Sequence, residues 1–234
     1  MKPTILAVIP VSGEDVEFER GILRLGSRSV LDFTFEAAKS SKLIGRTIVS
    51  TDDKRISRES KRVGIEVPFL RPPGTRLLPI GQILKQAVEY LENQDKNYRP
   101  DWIVRLQVTY PFREPSFIDR AVRTVLSQDL DSAFVAFPEY ESFWYESVDG
   151  TPQRITTDIE VPRSDRTPIY REIGGLFSMI SREVIGTGMV YGQRLGIIPI
   201  KSGLAPIDLH GIQGIELARL IARSRESERI AETS

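Results

Sequence analysis

ILAVIPVSGEDVEFERGI, residues 5–22, decides how this chain folds. Ile5–Pro10 is an unbroken apolar run of strand length, and the polar, glycine-containing stretch behind it ends the run. An apolar strand without alternation is buried on both faces, as in a sheet covered by helices. The following stretch, Val11–Ile22, sets Glu14, Asp15, Glu17 and Glu19 against one cation, Arg20. A central strand therefore delivers the backbone into an acidic loop.

Working outward, short apolar runs recur at Arg46–Ser50, Glu66–Leu70, Trp102–Leu106 and Ser132–Phe137. Between them the pattern changes to helical spacing near Leu31–Ser41, Lys54–Val63, Ile80–Leu91 and Pro115–Leu126. Leu31, Phe35 and Ala38 recur on one helical face, as do Leu84, Ala87, Val88 and Leu91. Strands alternating with helices of this length imply right-handed crossovers. The expected fold is a Rossmann-like, three-layer α/β domain with a mostly parallel sheet. Sites in such sheets lie beyond the carboxyl ends of the strands. That places the loop after Pro10, Thr51–Asp53 and Gln107–Arg113 on one rim.

The rhythm breaks after about residue 138. Tyr140–Arg171 is aromatic, polar and proline-containing, and reads as a β-rich arm within 139–171 used for substrate closure or dimer contacts. Phe143–Tyr145 suits packing or a dimer contact better than a stacking platform. Regular structure is expected again at Gly174–Ile180, Leu195–Ile200 and in a final helix over about Gly211–Arg223. The chain reads as one domain over 1–223 with a charged, frayed tail over 224–234.

The bulk numbers exclude several function classes. The 234 residues carry 32 Lys+Arg and 32 Asp+Glu, so no excess charge recruits nucleic acid or an anionic membrane. There is no cysteine, which excludes disulfides, thiolate catalysis and cysteine-ligated zinc. His210 is the sole histidine, so a multi-histidine metal centre is excluded. No apolar run is long enough to span a bilayer, and the expectation is a cytoplasmic protein without membrane or nucleic-acid partners.

AVIP (7–10), VSTDD (49–53), GIEVPFLRP (64–72), LQVTYPFR (106–113), YREIG (170–174) and IDLHGIQGIELA (207–218) follow one another in an order that resembles the CMP-acylneuraminate synthetases. These are the cytidylyltransferases that activate sialic and related nonulosonic acids. The resemblance covers roughly residues 5–220. It implies the nucleotidyltransferase sheet, a homodimer formed through the arm, and a reaction of CTP with a 2-keto sugar acid that yields a CMP-sugar and pyrophosphate. It also implies Mg²⁺, with Mn²⁺ as the alternative.

Residue by residue, the resemblance marks Gln107 and Thr109 for base or sugar recognition, and Arg71 and Arg113 for anions. It also marks Asp208 and His210, where the family carries two aspartates, for metal. Tyr170, Arg171 and Gly174 fall where relatives meet the sugar acid, and Arg163–Asp165 resembles a polar stretch with the same task. Each has a plainer reading. Thr109–Pro111 suits a turn, Arg113 and His210 suit helix-start positions, Arg71 suits a solvated loop cation, and Asp208 suits a helix cap.

The first loop departs from the family pattern, A-R-x-G-S-K-x-x-x-x-K-N. Ser12, Asp15, Val16, Gly21 and Ile22 stand at its basic and polar positions, and only Gly13 and Arg20 survive as nucleotide-binding candidates. A carboxylate about 8 Å from a phosphate charge costs about 2 kcal/mol at an effective dielectric near 20. Two rescues are open: Asp15 or Glu17 binding a bridging Mg²⁺, and Arg24 or Arg28 turning inward. Three readings therefore stand: an active cytidylyltransferase, a family member without activity that serves as a partner subunit, and a diverged transferase with another ligand.

Overall fold

The computed structural model describes residues 3–13, 17–18, 21–72, 74–156 and 161–233, with the side chains of 17, 18, 21, 76 and 228–233 left aside. Strand β1 (Ile5–Pro10) is buried along its whole length. Its alternate residues feed two apolar layers: Ile5, Ala7 and Ile9 on one face, Leu6 and Val8 on the other. Two short hairpins follow, β2 (Glu17–Phe18) with β3 (Gly21–Ile22), and β4 (Arg24–Leu25) with β5 (Arg28–Ser29). Helix α1 (Val30–Ser40) starts at a capping box, in which the Ser29 side chain accepts from the Asp32 amide and Asp32 accepts from the Ser29 amide.

Next come β6 (Arg46–Ser50), α2 (Lys54–Arg62), α3 (Ile80–Gln94), β7 (Trp102–Arg105) and α4 (Phe117–Leu126). The second half holds β8 (Ser132–Glu139), the hairpin β9 (Trp144–Glu146) and β10 (Pro152–Arg154), then β11 (Ile169–Glu172), β12 (Ser178–Ser181), α5 (Arg182–Gly186), β13 (Leu195–Pro199) and α6 (Ile212–Thr233).

Strands β6, β1 and β7 run parallel, while β12 lies antiparallel between β7 and β8. β11 continues antiparallel to the far half of β8, and β13 runs parallel to β8. The three-layer α/β fold is as expected, with α1, α4 and α6 contributing to one apolar layer and α3 and α5 to the other.

Three expectations are corrected. Glu66–Leu70 makes only isolated bridges, Ile48 with Glu66 and Thr51 with Leu70. Pro68, at its centre, has no N–H to donate to a ladder. Gly174–Phe177 is a turn between β11 and β12 rather than the start of a strand, which brings the Gly174–Gly175 pair to the rim. The charged tail is helical to Thr233. Glu226 fixes it by accepting from the amide of Ser27, at 2.7 Å, and from the Ser27 hydroxyl. Gly26, at φ 64°, makes the turn that admits the Glu226 carboxylate.

The 139–171 stretch carries the β9–β10 hairpin, with Trp144 and Tyr145 exposed and the Arg154 guanidinium over the Trp144 ring. No helix among the described residues is long and apolar enough to cross a membrane.

Candidate functional site

Two groups of side chains gather beyond the carboxyl ends of β1, β6 and β7. In the first, Val11 donates its amide to the Ser50 carbonyl and Arg71 donates its own to Thr51, so three segments share one edge. The Arg71 side chain is buried under the first loop, where Nη2 donates to the Val11 carbonyl at 3.3 Å and lies 3.8 Å from an Asp52 oxygen. The plain reading of a solvated loop cation is thereby corrected: Arg71 braces the loop from below.

Asp53 caps α2 and holds Arg55 through its amide at 2.6 Å and its guanidinium at 2.6 and 3.0 Å. Those bonds hold the Asp53 carboxyl below its ordinary range. Gly13 packs on this pair; a Cβ there would lie 2.5 Å from Asp53 Oδ2. Ser12 is buried. Arg20, Glu14, Asp15, Val16 and Glu19 lie outside the described residues, as does the side chain of Glu17.

The second group surrounds the end of β7. Gln107 donates its amide to the Gly175 carbonyl at 2.8 Å, and a Cβ on Gly175 would overlap the Gln107 Oε1. Leu209 donates to the Thr109 carbonyl at 3.0 Å, pinning the Asp208 loop beside this turn. Thr109 is buried, and among the described residues its hydroxyl has no hydrogen-bond partner. An orphaned buried hydroxyl at a strand end suits a ligand. Tyr110 donates its hydroxyl to Asp208 Oδ2 at 3.2 Å; burial and that carboxylate push the phenol up to about 12.

Asp208 precedes α6 by too much to cap it, which corrects the plain reading of that residue. Its Oδ1 accepts from the His210 amide and lies 2.5 Å from His210 Nδ1. No group of three or more histidine or acidic side chains among the described residues is placed to hold a metal. Asp208 Oδ1 and the His210 ring stand against each other while Oδ2 accepts from Tyr110, so the two residues expected to hold metal lie side by side at the end of β7.

Arg113, expected to meet an anion, has another job. Nε donates to the Leu176 carbonyl at 3.0 Å, and Nη1 to the Thr34 hydroxyl at 2.9 Å and the Tyr110 carbonyl at 2.7 Å. Nη2 donates to the carbonyls of Gln107 at 2.7 Å and Gly175 at 3.4 Å. A guanidinium has five N–H donors, and all are spent on holding the 107–113 turn against 175–176. Burial pushes this group down to about 9.

Tyr170 and Arg171 follow one another on β11 and so take opposite faces. Arg171 pairs with Glu139 at 2.8 Å and lies within electrostatic reach of Tyr110, while Tyr170 shares the other face with Glu172; both Tyr170 and Arg171 are exposed. The expectation that both meet one ligand is corrected.

The sequence reading missed Arg105, Glu172 and Tyr191. Arg105 is 7 % exposed inside β7, where the run Trp-Ile-Val-Arg-Leu requires an apolar residue on both faces. A lone cation in such a strand was the available signal. Burial lowers its pKa. Tyr191 donates to Glu172 at 2.5 Å, and burial with that carboxylate pushes its phenol up to about 12.

The sheet, covered by helices on both faces, gathers polar groups beyond the ends of β1, β6 and β7, where open α/β sheets bind ligands. The chain belongs to the cytidylyltransferase family, whose model matches residues 19–172. It is 24% identical over 211 residues to the CMP-N,N'-diacetyllegionaminic acid synthase of Legionella pneumophila, covering 88% of this chain and 90% of that one. It is 19% identical over 223 residues to the pseudaminic acid cytidylyltransferase of Campylobacter jejuni, covering 92% and 95%. Among solved structures, CMP:2-keto-3-deoxy-manno-octonic acid synthetase complexed with CTP matches with a TM-score of 0.68 at 11% identity, over 95% of this chain and 99% of that one. The 4-diphosphocytidyl-2C-methyl-D-erythritol synthase of Anaerococcus prevotii matches with a TM-score of 0.69 at 10% identity, over 95% and 97%.

Proposed function

We propose that this chain is a cytoplasmic cytidylyltransferase that transfers CMP from CTP to a 2-keto sugar acid of the nonulosonic type and releases pyrophosphate. It works as a homodimer through the exposed aromatic face of the β9–β10 arm. Family membership and relatives of nearly full length support the chemistry. The observation that carries it is the gathering of Gln107, the orphaned Thr109 hydroxyl, the double glycine at 174–175 and Asp208 at the end of β7.

The chain's own residues supply positioning. The Gln107 amide offers one donor pair and one acceptor to a base or sugar edge. Tyr110, protonated at neutral pH, fixes the Asp208 carboxylate at the acceptor end, while Arg113 holds the turn that presents both. A divalent cation, when bound with the triphosphate, supplies charge neutralisation.

Thermal melts with CTP, CDP, CMP and the other nucleotides, each with Mg²⁺ or Mn²⁺, test nucleotide binding. Saturation at 100 times the dissociation constant adds about 2.7 kcal/mol, or roughly 5–10 °C here. A CTP-selective shift, followed by pyrophosphate release with 2-keto sugar acids, is expected. The buried Ser12, at a position where the family pattern has arginine, favours a second reading, a family member without activity that acts as a partner subunit. A flat panel selects it. Melting shifted by a different nucleotide selects the third, a transferase with another ligand.

A further inference from the structure

We infer that Arg105, flanked by Glu172 and Tyr191, forms an anion-reading floor in the acceptor half of the cleft and selects ligands that carry a carboxylate; the ligand class rests on the function proposed above. Arg105 lies between Val8 of β1 and Ser178 of β12. Its side chain converges with that of Gln107 on the same double glycine. A Cβ on Gly174 would lie 2.5 Å from Glu172 Oε1 and 2.6 Å from Arg105 Nη2, and one on Gly175 would overlap Gln107 Oε1. The two glycines therefore let the candidate base or sugar reader and a buried cation approach the same turn of backbone.

What surrounds that cation is unlike the setting of Arg113. Nε donates to the Gly174 carbonyl at 3.3 Å and Nη2 to the Ser178 hydroxyl at 3.1 Å, both neutral acceptors. Nη1 donates to no described residue. The nearest carboxylate, Glu172, stands at 4.0 Å, beyond hydrogen-bond length, and its Oε1 is already occupied by the Tyr191 hydroxyl. A buried charge is costly unless it is paired and hydrogen-bonded. Here Glu172 borders the same glycine as Arg105 but makes no hydrogen bond to it, and a planar carboxylate is the group that a guanidinium fork completes best. Tyr191 donates to Glu172 where it stands, and an incoming carboxylate would compete with Glu172 for the guanidinium.

The test compares each acid with its neutral methyl ester by calorimetric titration, using N-acetylneuraminate and 3-deoxy-manno-octulosonate as probes. The wild-type protein is expected to prefer at least one acid over its ester by about tenfold or more, the range of a charge-assisted hydrogen bond. Arg105→Met, similar in length and uncharged, is expected to bring that preference within about twofold while the CTP-induced melting shift is kept. Glu172→Gln, which still accepts from Tyr191, is expected to tighten acid binding about threefold by removing the competing charge.

A wild-type protein that binds neither acid or shows no preference overturns the inference, as does a preference that survives Arg105→Met. Should Arg105→Met fail to fold, Glu172→Gln decides: unchanged or weaker acid binding overturns it. Acid preference without pyrophosphate release counts against the transferase reading and leaves Arg105 in its role. Turnover with an acid KM unmoved by Arg105→Met does the reverse.

Discussion

Arg113→Met separates a structural arginine from a ligand-binding one. The substitution deletes five donors at once and leaves the carbonyls of Gln107, Tyr110, Gly175 and Leu176 to find other partners. Hydrogen bonds to a charged group contribute about 1.5–3 kcal/mol each, but they are not additive, and carbonyls near the rim recover water. Breaking a buried charged network by removing one partner costs about 3–5 kcal/mol. In a chain of this size each kcal/mol moves the midpoint by about 2–4 °C, so the melt is expected to fall by roughly 6–20 °C. Arg113→Lys keeps the charge with fewer donors and no planar fork, and is expected to lose about half as much. Calorimetric melts read the stability, and CTP titration below the melting range reads the site. An Arg113→Met protein that melts within about 3 °C of the wild type yet no longer binds CTP would refute the assignment, because the guanidinium would then be serving the ligand.

Asp53→Asn tests the cap of α2. Arg55 holds the Asp53 carboxyl below its unfolded value of about 3.9. The stabilisation is therefore present above that value and lost as pH falls through the lower folded one; the gap between variant and wild type, about 1 kcal/mol at neutral pH, is expected to close in acid melts. Gly175→Ala forces the Gln107 side chain and the Tyr110 ring aside, and is expected to weaken CTP or acid binding at least tenfold, about 1.4 kcal/mol, read by titration. Glu226→Ala frees the β4–β5 hairpin from α6 and is expected to cost about 1 kcal/mol, a drop of roughly 2–4 °C in the melt.

The fold was legible because burial on both faces leaves an unmistakable trace. Ile5–Pro10 and the helical spacing of Leu84, Ala87, Val88 and Leu91 each state their environment in residue type alone. The helical tail was not legible, since its charged composition suits a solvated coil and long-range contacts hold it, among them the bond of Glu226 to Ser27 and Arg225 over the Phe112 ring. The rim segments could be placed by topology, but the work of each side chain could not. Asp208 and His210 look like a pair in a linear reading, and in three dimensions Asp208 meets both the His210 ring and the Tyr110 hydroxyl, a partner the spacing did not name. Tyr170 and Arg171 look like one motif, and the pleat sends them to opposite faces.

The arginines at this rim show why motif position is a poor guide to charge use. Arg113 sits in the family-like segment and spends every donor on the backbone that shapes the turn. Arg105 sits outside any recognised segment, in a strand that has no packing use for a cation, and commits Nε and Nη2 to neutral acceptors. Stability alone accounts for the first, since its loss would strand several buried carbonyls. It does not account for the second, where an apolar residue would fill the same space at lower desolvation cost. The residue that sequence similarity singles out is therefore the brace. The one that it passes over is the residue with charge and donors to spare for a ligand.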